Sequence, residues 1–314
     1  MIVYTPSRIH LGIIDLSREF PREYGALGAM VKGGYCIAVN STTDRLTVEG
    51  ASSKEKNELQ NIYVSIKEKY SLEAGFKVSI KKSVPRHIGL GSTTQLKMGT
   101  AAAMLKEVGL NYDIKDLAST VGRSRFSAIG TYGFIHGGFI LEGGKGTDEV
   151  VPPLTAHIRM PSDWRFVIVW PDHISSCDEV QEKPMMKSVK VSSEYPRCIS
   201  HHVVMGVLPS LIEEDIESFG HHISQIQRLV GESFAPYQGG TFHPAVSQLV
   251  DKLEELTYGS GQSSWGPTAY GITTVKKAEN TKEQIIKWLE KKDKTAEVWI
   301  AEPNNEGAVF TSHP

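Results

Sequence analysis

The segment Pro85-Arg86-His87-Ile88-Gly89-Leu90-Gly91-Ser92-Thr93-Thr94-Gln95 joins a strand pattern to a helix pattern. Upstream, Phe76, Val78 and Ile80 alternate with other residues, the period of a half-buried strand. Downstream, Met98, Ala101, Ala102, Leu105 and Val108 line one helical face, and Gly109 supplies a stop. Gly89 and Gly91 allow the main chain to approach a ligand closely. The amides of Ser92, Thr93 and Thr94 open the helix without intrahelical acceptors. Together with the helix dipole they favour an anion, most simply a phosphate, and the three hydroxyls add donors. An ordinary strand–turn–helix connection would carry the same local pattern. The segment is not a Walker A loop, since GxxxxGK[ST] is absent. Nor is it a dinucleotide fingerprint, because Thr94 stands where the third glycine should be.

Strand signals precede this turn. Ile2 and Tyr4, then Ile9, Leu11 and Ile13, alternate as in a half-buried strand, and Leu46 with Val48 reads as another. Leu59, Ile62, Tyr63, Ile66 and Tyr70 recur at helical spacing. A shorter helix from about Asp113 turns Ile114, Leu117 and Val121 inward. Pro152-Pro153 marks a boundary, which divides the chain into an N-terminal domain, 1–153, and a C-terminal domain, 154–314. The second half opens on the apolar strand FVIVW at 166–170, followed by a polar loop over 171–196 whose length fits a lid. Helical spacing returns at Ile216, Phe219, Ile223 and Ile226, and at Val246, Leu249, Leu253 and Leu256. YGITTV begins a strand at Tyr270, Thr281 with Gln284 forms a capping-box pattern before Ile285, and Val298 with Ile300 makes a late strand. The order of elements is that of an α+β protein.

Composition narrows the function classes. Of 314 residues, Lys and Arg total 34 and Asp and Glu 36, a net charge of −2, which argues against nucleic acid or an anionic membrane held by bulk charge. No stretch approaches the ~18 apolar residues that span a bilayer, and MIVYTPSRIH lacks the basic start and apolar run of a secretory signal. Three scattered cysteines, Cys36, Cys177 and Cys198, make neither a disulfide framework nor a zinc site. A soluble, reducing, cytoplasmic setting is the simplest expectation.

Two more glycine-bearing segments stand out. Ser260-Gly261-Gln262-Ser263-Ser264-Trp265-Gly266-Pro267 could close over a phosphate or a planar ring, or be a surface loop with Trp265 in the core. Ser127-Ala128-Ile129-Gly130-Thr131-Tyr132-Gly133-Phe134-Ile135-His136-Gly137-Gly138 reads as a helix running into a turn and then the strand FILEGG.

Taken together these segments resemble the GHMP kinase superfamily, whose central motif P-x-x-x-G-L-G-S-S-A is similar to Pro85–Gln95. The resemblance covers most of the chain. It implies a ribosomal-S5-like N-terminal domain and a ferredoxin-like C-terminal domain with the site between them. In mevalonate-kinase-like members the third region resembles S-G-L-D followed by a Gly-Gly pair. Here Gly130 occupies the position of that Asp, and glycine has no side chain to take a proton from a phosphoryl acceptor.

The chain is more similar to a non-kinase branch, the β-ribofuranosylaminobenzene 5′-phosphate synthases of archaeal methanopterin synthesis. Arg8-Ile9-His10-Leu11-Gly12-Ile13-Ile14-Asp15-Leu16 resembles its R-I-H-L-x-L-I-D-L opening. Gly89-Leu90-Gly91-Ser92-Thr93-Thr94-Gln95 resembles its G-L-G-S-T-T-Q, and Gly261–Pro267 its G-Q-S-S-W-G-P. Arg22–Gly28 is a weaker match to R-x-D-G-G-x-G, from which Tyr24 and Ala26 depart. The resemblance implies condensation of phosphoribosyl diphosphate with 4-aminobenzoate, or with 4-hydroxybenzoate by the same electron push, releasing diphosphate and carbon dioxide. It implies Mg²⁺ carried by the diphosphate, no organic cofactor and a homodimer. Asp15 and Arg22 are the catalytic candidates. Arg8, His10, Gly89, Gly91, Ser92, Thr93, Thr94, Gln95, Gln262, Ser263, Ser264 and Trp265 are the substrate-binding candidates, with no resident metal. The alternative is an ATP-dependent small-molecule kinase of the same fold.

Several of these residues have plainer readings. Asp15 ends a strand, where a turn-capping Asp is common, and Arg22 reads equally as a solvated loop cation. His10 faces away from Ile9 and Leu11, toward solvent or the site. His136 is a weak acid–base candidate beside Gly137-Gly138. Neither His201-His202 nor His221-His222 can chelate a metal from one helical face, so both pairs read as mostly exposed. Arg123 and Arg125 follow a helix C-terminus, where cations are favoured.

Overall fold

The computed structural model describes all residues except 125, 148–150, 173, 175–183, 185, 187, 190 and 313–314. The chain begins with β1 (Ile2–Tyr4), β2 (Ser7–Asp15), β3 (Tyr24–Val31), β4 (Cys36–Thr42) and β5 (Thr47–Glu49). Next come α1 (Ser53–Tyr70), β6 (Gly75–Lys82), α2 (Ser92–Glu107), α3 (Ile114–Thr120), α4 (Ile129–His136), β7 (Phe139–Glu142), β8 (Leu154–Ile158) and β9 (Trp164–Pro171). Helix α5 (Glu194–His202) runs through a π-helical turn (Val203–Val207) into α6 (Leu208–Ile212), followed by α7 (Ile216–Gln238) and α8 (Ser247–Leu256). The chain closes with β10 (Gly259–Gln262), β11 (Ala269–Thr274), α9 (Val275–Lys291), β12 (Ala296–Ala301) and β13 (Val309–Thr311).

The strands form three sheets, ordered β13-β1-β4-β6-β5, β2-β3-β7-β8 and β10-β11-β9-β12. Apart from β13, the first two are built from the N-terminal half. In the third, β9, β10, β11 and β12 are joined through α8 and α9 in the βαββαβ order of a ferredoxin-like unit. FVIVW is apolar throughout because both faces of β9 are covered. Phe166 and Ile168 belong to the main core with Ile223 and Ile226 of α7, whereas Val167 and Val169 pack with Leu249, Leu253, Ile285 and Leu289 of α8 and α9.

The boundary expected at 153/154 does not separate two bodies. Leu154 pairs with Glu142, so β8 belongs to the N-terminal sheet, and β13 returns from the C-terminus to pair with β1. One core runs from Val3 to Ala301 across both halves. Proline fixed the boundary by local stiffness, which says nothing about long-range strand pairing.

Two other readings change. Thr281 does not begin a helix, since α9 starts at Val275 directly after β11 and buries Thr281 inside it. Residues 22–28, expected as a loop, enter β3, a central strand in which every residue is buried. Its sequence, YGALGAMV, is poor in β-branched residues because its neighbours leave no room. A Cβ on Gly28 would lie 2.9 Å from the Ile9 carbonyl oxygen and 2.5 Å from Ile129 Cγ2. The 171–196 loop lies largely outside the described residues; Met186 and Val189 within it are buried against Leu16, Tyr24 and Phe234.

Candidate active site

The site is organised by an irregularity in β2. Pairing with β3 runs Arg8↔Met30 and His10↔Gly28, then Gly12↔Leu27, Ile13↔Ala26 and Asp15↔Tyr24, so Leu11 is the extra residue of a β-bulge. Residues directly opposite one another in an antiparallel pair point to the same side of the sheet. Strand β3 alternates regularly, with residues 24, 26, 28 and 30 on one face. Arg8, His10, Ile13 and Asp15 therefore share that face. Simple alternation, read from sequence, had placed Ile13 with Ile9 and Leu11. The bulge turns it to the other side and carries Asp15 with it.

Arg8 reaches the glycine turn that precedes α2. Its backbone amide donates to the Leu90 carbonyl at 2.9 Å, and its side chain lies along Gly91, where an added Cβ would sit 3.1 Å from Arg8 Cβ and 3.4 Å from Nε. Gly89 and Gly91 both have left-handed φ, +94° and +72°, a conformation that costs other residues ~1–2 kcal/mol. Gly91 is the N-cap of α2 and no side chain caps the helix. The amides of Ser92, Thr93 and Thr94 thus take no side-chain cap and open next to a guanidinium. Thr94 Oγ1 accepts from Arg123 Nε at 3.0 Å, which brings a second guanidinium to the same helix start. Sequence reasoning had treated Arg123 only as a helix-end cation. Nothing in the local pattern points to Thr94, because the contact spans 29 residues. Arg125 lies outside the described residues.

Ser263 ties the three motifs together. Its hydroxyl accepts from the His10 amide at 2.9 Å and donates to the Gly89 carbonyl at 2.7 Å. Ser263 is 0% exposed, so its role in this state is to fix β2, the glycine turn and the 260–267 segment to one another. Gln95, also 0% exposed, donates to the Gly130 carbonyl at 3.0 Å and so anchors α2 to α4 from inside.

A cleft adjoins this knot, lined by His10, Gly12, Ile13, Gln227, Val230, Gly231, Phe234, Gln238, Thr241, Phe242, Gln262, Ser264 and Trp265. Its walls are aromatic and aliphatic on one side and amide-bearing on the other, and no lining side chain carries a formal charge. Trp265 packs on Phe234 with ring centroids 4.2 Å apart, half-buried rather than lost in the core. His10 is 6% exposed. Burial, reinforced by the nearby Arg8 guanidinium, holds its imidazole down at a pKa of about 3. Of the two faces open to it from sequence, His10 takes the site.

The remaining candidates are placed as follows. Asp15 Oδ1 accepts from the Ser17 amide and hydroxyl, each at 2.7 Å, a turn-capping geometry, on the same face as Ile13. Arg22 is exposed on the β2–β3 turn and donates to the Gly144 carbonyl at 2.9 Å. His136 sits at the far end of α4 from Thr94, beside the His157 ring at 5.1 Å. The histidine pairs meet across helices: His202 and His222 are half-buried with Nδ1 atoms 2.9 Å apart, while His201 and His221 are exposed. Two adjacent histidines diverge on one helix, but one from each helix converges, a contact that sequence spacing cannot reveal. Among the described residues no three His, Cys, Asp or Glu side chains come together as a metal site, and no helix is long and apolar enough to cross a membrane.

Residues 57–138 match the GHMP kinases N terminal domain, and residues 207–291 match the GHMP kinases C terminal model. The chain is 28% identical to a β-ribofuranosylphenol 5′-phosphate synthase of Methanothermobacter thermautotrophicus, covering 88% of this chain and 89% of that one. It is 26% identical to the protein of the same name from Methanocaldococcus jannaschii, covering 98% and 99%. Among solved structures, Streptococcus pneumoniae phosphomevalonate kinase superposes with a TM-score of 0.72 at 10% identity, covering 97% and 99%. Methanococcus jannaschii mevalonate kinase superposes with a TM-score of 0.69 at 15% identity, covering 97% and 98%. These structural likenesses speak to the fold alone. With both domain models matched in order, and with archaeal riboside synthases among its relatives over nearly their full length, the chain belongs to the GHMP kinase superfamily.

Proposed function

We propose that this protein is a pentosyltransferase of the methanopterin pathway. It joins the ribose of phosphoribosyl diphosphate to the carboxyl-bearing ring carbon of 4-hydroxybenzoate or 4-aminobenzoate, releasing carbon dioxide and diphosphate. The product is a C-riboside 5′-phosphate. The relatives' name, β-ribofuranosylphenol 5′-phosphate synthase, favours the hydroxyl-bearing acceptor. One observation carries the reading: Arg8 and His10, two residues apart on one face of β2, serve an anion-suited turn and an uncharged aromatic cleft respectively. That pairing fits a substrate rich in phosphate beside a flat ring.

In this reading the amides of Ser92, Thr93 and Thr94, with Arg8 and Arg123, receive the diphosphate. Planar guanidinium groups suit its oxygens. Mg²⁺ arrives as part of the substrate, on the diphosphate, since it favours phosphate oxygens over protein cages. As diphosphate departs, positive charge develops at the ribose anomeric carbon. Asp15, on the same face, is the carboxylate assigned to stabilise it. Arg22 steadies the turn over which the substrates enter. The ring slots against Trp265 and Phe234, its carboxylated carbon toward the ribose. Alignment of the two substrates could lower the barrier by roughly 7–11 kcal/mol in the best intramolecular models. Exposed apolar Val204, Met205 and Ile212 on the π-turn and α6 fit the homodimer that the family leads us to expect.

Phosphoryl transfer has less support, because Gly130 offers no base and its place is filled by packing against Thr94, 3.1 Å from an added Cβ. The test is direct: the protein with Mg²⁺, phosphoribosyl diphosphate and either benzoate should release diphosphate and carbon dioxide in equal amounts. Absence of both products, or ADP formation from ATP with an alcohol, overturns the proposal.

A further inference from the structure

Most polar side chains that line the cleft are already engaged by the protein. Gln227 Nε2 donates to the Leu11 carbonyl at 2.8 Å, and its Oε1 accepts from the Gln262 amide at 2.9 Å. Gln262 Oε1 accepts from the His243 amide at 2.7 Å, and its Nε2 donates to the Ser264 carbonyl at 3.1 Å and to Gln238 Oε1 at 3.3 Å. Gln238 Nε2 donates to the Thr241 carbonyl at 2.8 Å. The hydroxyls of Ser264 and Thr241 lie on half-exposed residues. The His10 ring is more than nine-tenths buried, faces the cleft, and makes no hydrogen bond to another side chain or to backbone among the described residues; only its amide is bonded, to Ser263. A buried polar group facing a cavity without a protein partner is a group waiting for a ligand atom.

The charge pattern says which end of a ligand enters. A carboxylate buried among these uncharged walls would lack a counter-ion, at a cost of several kcal/mol. Arg8, whose charge acts on His10, lies on its glycine-turn side. A benzoate therefore enters with its neutral para substituent first and keeps its carboxylate toward the turn. This rests on the reading of the cleft as the aromatic acceptor's site.

We infer that His10 accepts a hydrogen bond from the acceptor's para hydroxyl and holds its proton during the reaction. As the ring carbon bonds to the ribose, the bond from the ribose to diphosphate breaks and diphosphate keeps the electron pair. The hydroxyl, now strongly acidic, passes its proton to the unprotonated nitrogen of His10, leaving a dienone. The bond to the carboxylate then breaks, its electron pair restores the ring, carbon dioxide leaves, and the oxygen retakes the proton from the imidazolium. The depressed basicity of His10 suits it to this brief loan, because the imidazolium returns the proton readily.

Titration of the intact protein with 4-hydroxybenzoate and 4-methoxybenzoate, followed by tryptophan fluorescence, tests the contact without turnover. The hydroxyl compound should bind about tenfold more tightly to the wild type, the worth of one buried hydrogen bond. In His10→Ala, checked by circular dichroism for native structure, the ratio should fall to about one. His10→Gln, which retains an acceptor, should keep part of it and serves as the second variant should alanine unfold. An unchanged ratio in a folded His10→Ala protein, or no binding of either ring to the wild type, overturns the inference. In turnover, His10→Ala should lose roughly 10²–10⁴-fold in kcat, partly recovered with fluorinated, more acidic 4-hydroxybenzoates. Riboside formation with an unaltered hydroxyl preference sinks the role of His10 and spares the function; the preference without riboside does the reverse.

Discussion

The Ser263 hydroxyl donates to the Gly89 carbonyl at 2.7 Å across 174 residues of chain. The same oxygen accepts from the His10 amide, so one side chain joins the aromatic cleft to the glycine turn. Gly89 has no room to compensate, since a Cβ there would lie 2.2 Å from the Ser263 carbonyl oxygen. Ser263→Ala should leave a buried amide and a buried carbonyl without partners and lower stability by about 2 kcal/mol. The loosened turn should raise KM for phosphoribosyl diphosphate more than KM for the benzoate. Thermal melting and initial rates check both; an unchanged melting temperature and unchanged KM values would remove Ser263 from its joining role.

Asp15 stands on the face of His10 only because of the bulge at Leu11. Its Oδ1 is bonded to Ser17, and asparagine offers the same acceptor atom. Asp15→Asn should therefore fold and melt like the wild type. If the carboxylate charge steadies the ribose cation, kcat should fall by about a hundredfold or more with little change in KM. A variant with full turnover would reduce Asp15 to a turn cap.

How much of this was readable beforehand follows from the range of the interactions. The glycine turn, α2 and the strand FVIVW rest on local pattern, and the structure has them where the periodicity indicates. Strand β3 was hidden because its small residues answer to packing against Ile9 and Ile129 rather than to strand propensity. The face of Asp15 was hidden by a one-residue bulge, which inverts every later assignment in its strand. Arg123 and the His202–His222 contact depend on tertiary approach alone. The three motifs meet in the structure, and Ser263, expected as a substrate-binding residue, spends its hydroxyl on joining them, a role that only tertiary approach reveals.

Arg123 and Arg8 approach the start of α2 from different elements, and each has a distinct signature. Arg123 Nε bonds Thr94 at 3.0 Å, so its guanidinium is already oriented toward the helix terminus. Arg123→Ala should raise KM for phosphoribosyl diphosphate roughly tenfold, as expected for one charge-assisted hydrogen bond. Arg8 also packs along Gly91, so Arg8→Ala should add a loss of stability that Arg123→Ala does not. Inhibition by inorganic diphosphate provides an independent readout, and equal inhibition constants in wild type and Arg123→Ala would rule that residue out of the cradle.

Glu142 and His10 give opposing dependences on pH. It ends β7 with 0% exposure, and burial drives its carboxyl up to a pKa of about 7 against an ordinary 4.5, despite a bond from the Gly144 amide to Oε2 at 2.9 Å. A raised carboxyl pKa means that the folded state prefers the proton. Its contribution is complete below pH 4.5 and is lost as pH rises through 7. His10 acts in the opposite sense: held at about 3 against 6.5, it contributes fully above pH 6.5 and less as pH falls toward 3. Between pH 5 and pH 8 the two effects oppose each other, a loss of roughly 2.5 kcal/mol from Glu142 against a gain of roughly 2 kcal/mol from His10, so they nearly cancel. Glu142→Gln keeps an acceptor for the Gly144 amide and removes the titration. Urea unfolding at pH 5 and pH 8 should show little net change in the wild type and a rise in stability toward pH 8 in the variant, where the His10 effect stands alone. Equal responses in the two proteins would mean that Glu142 stays charged inside the fold.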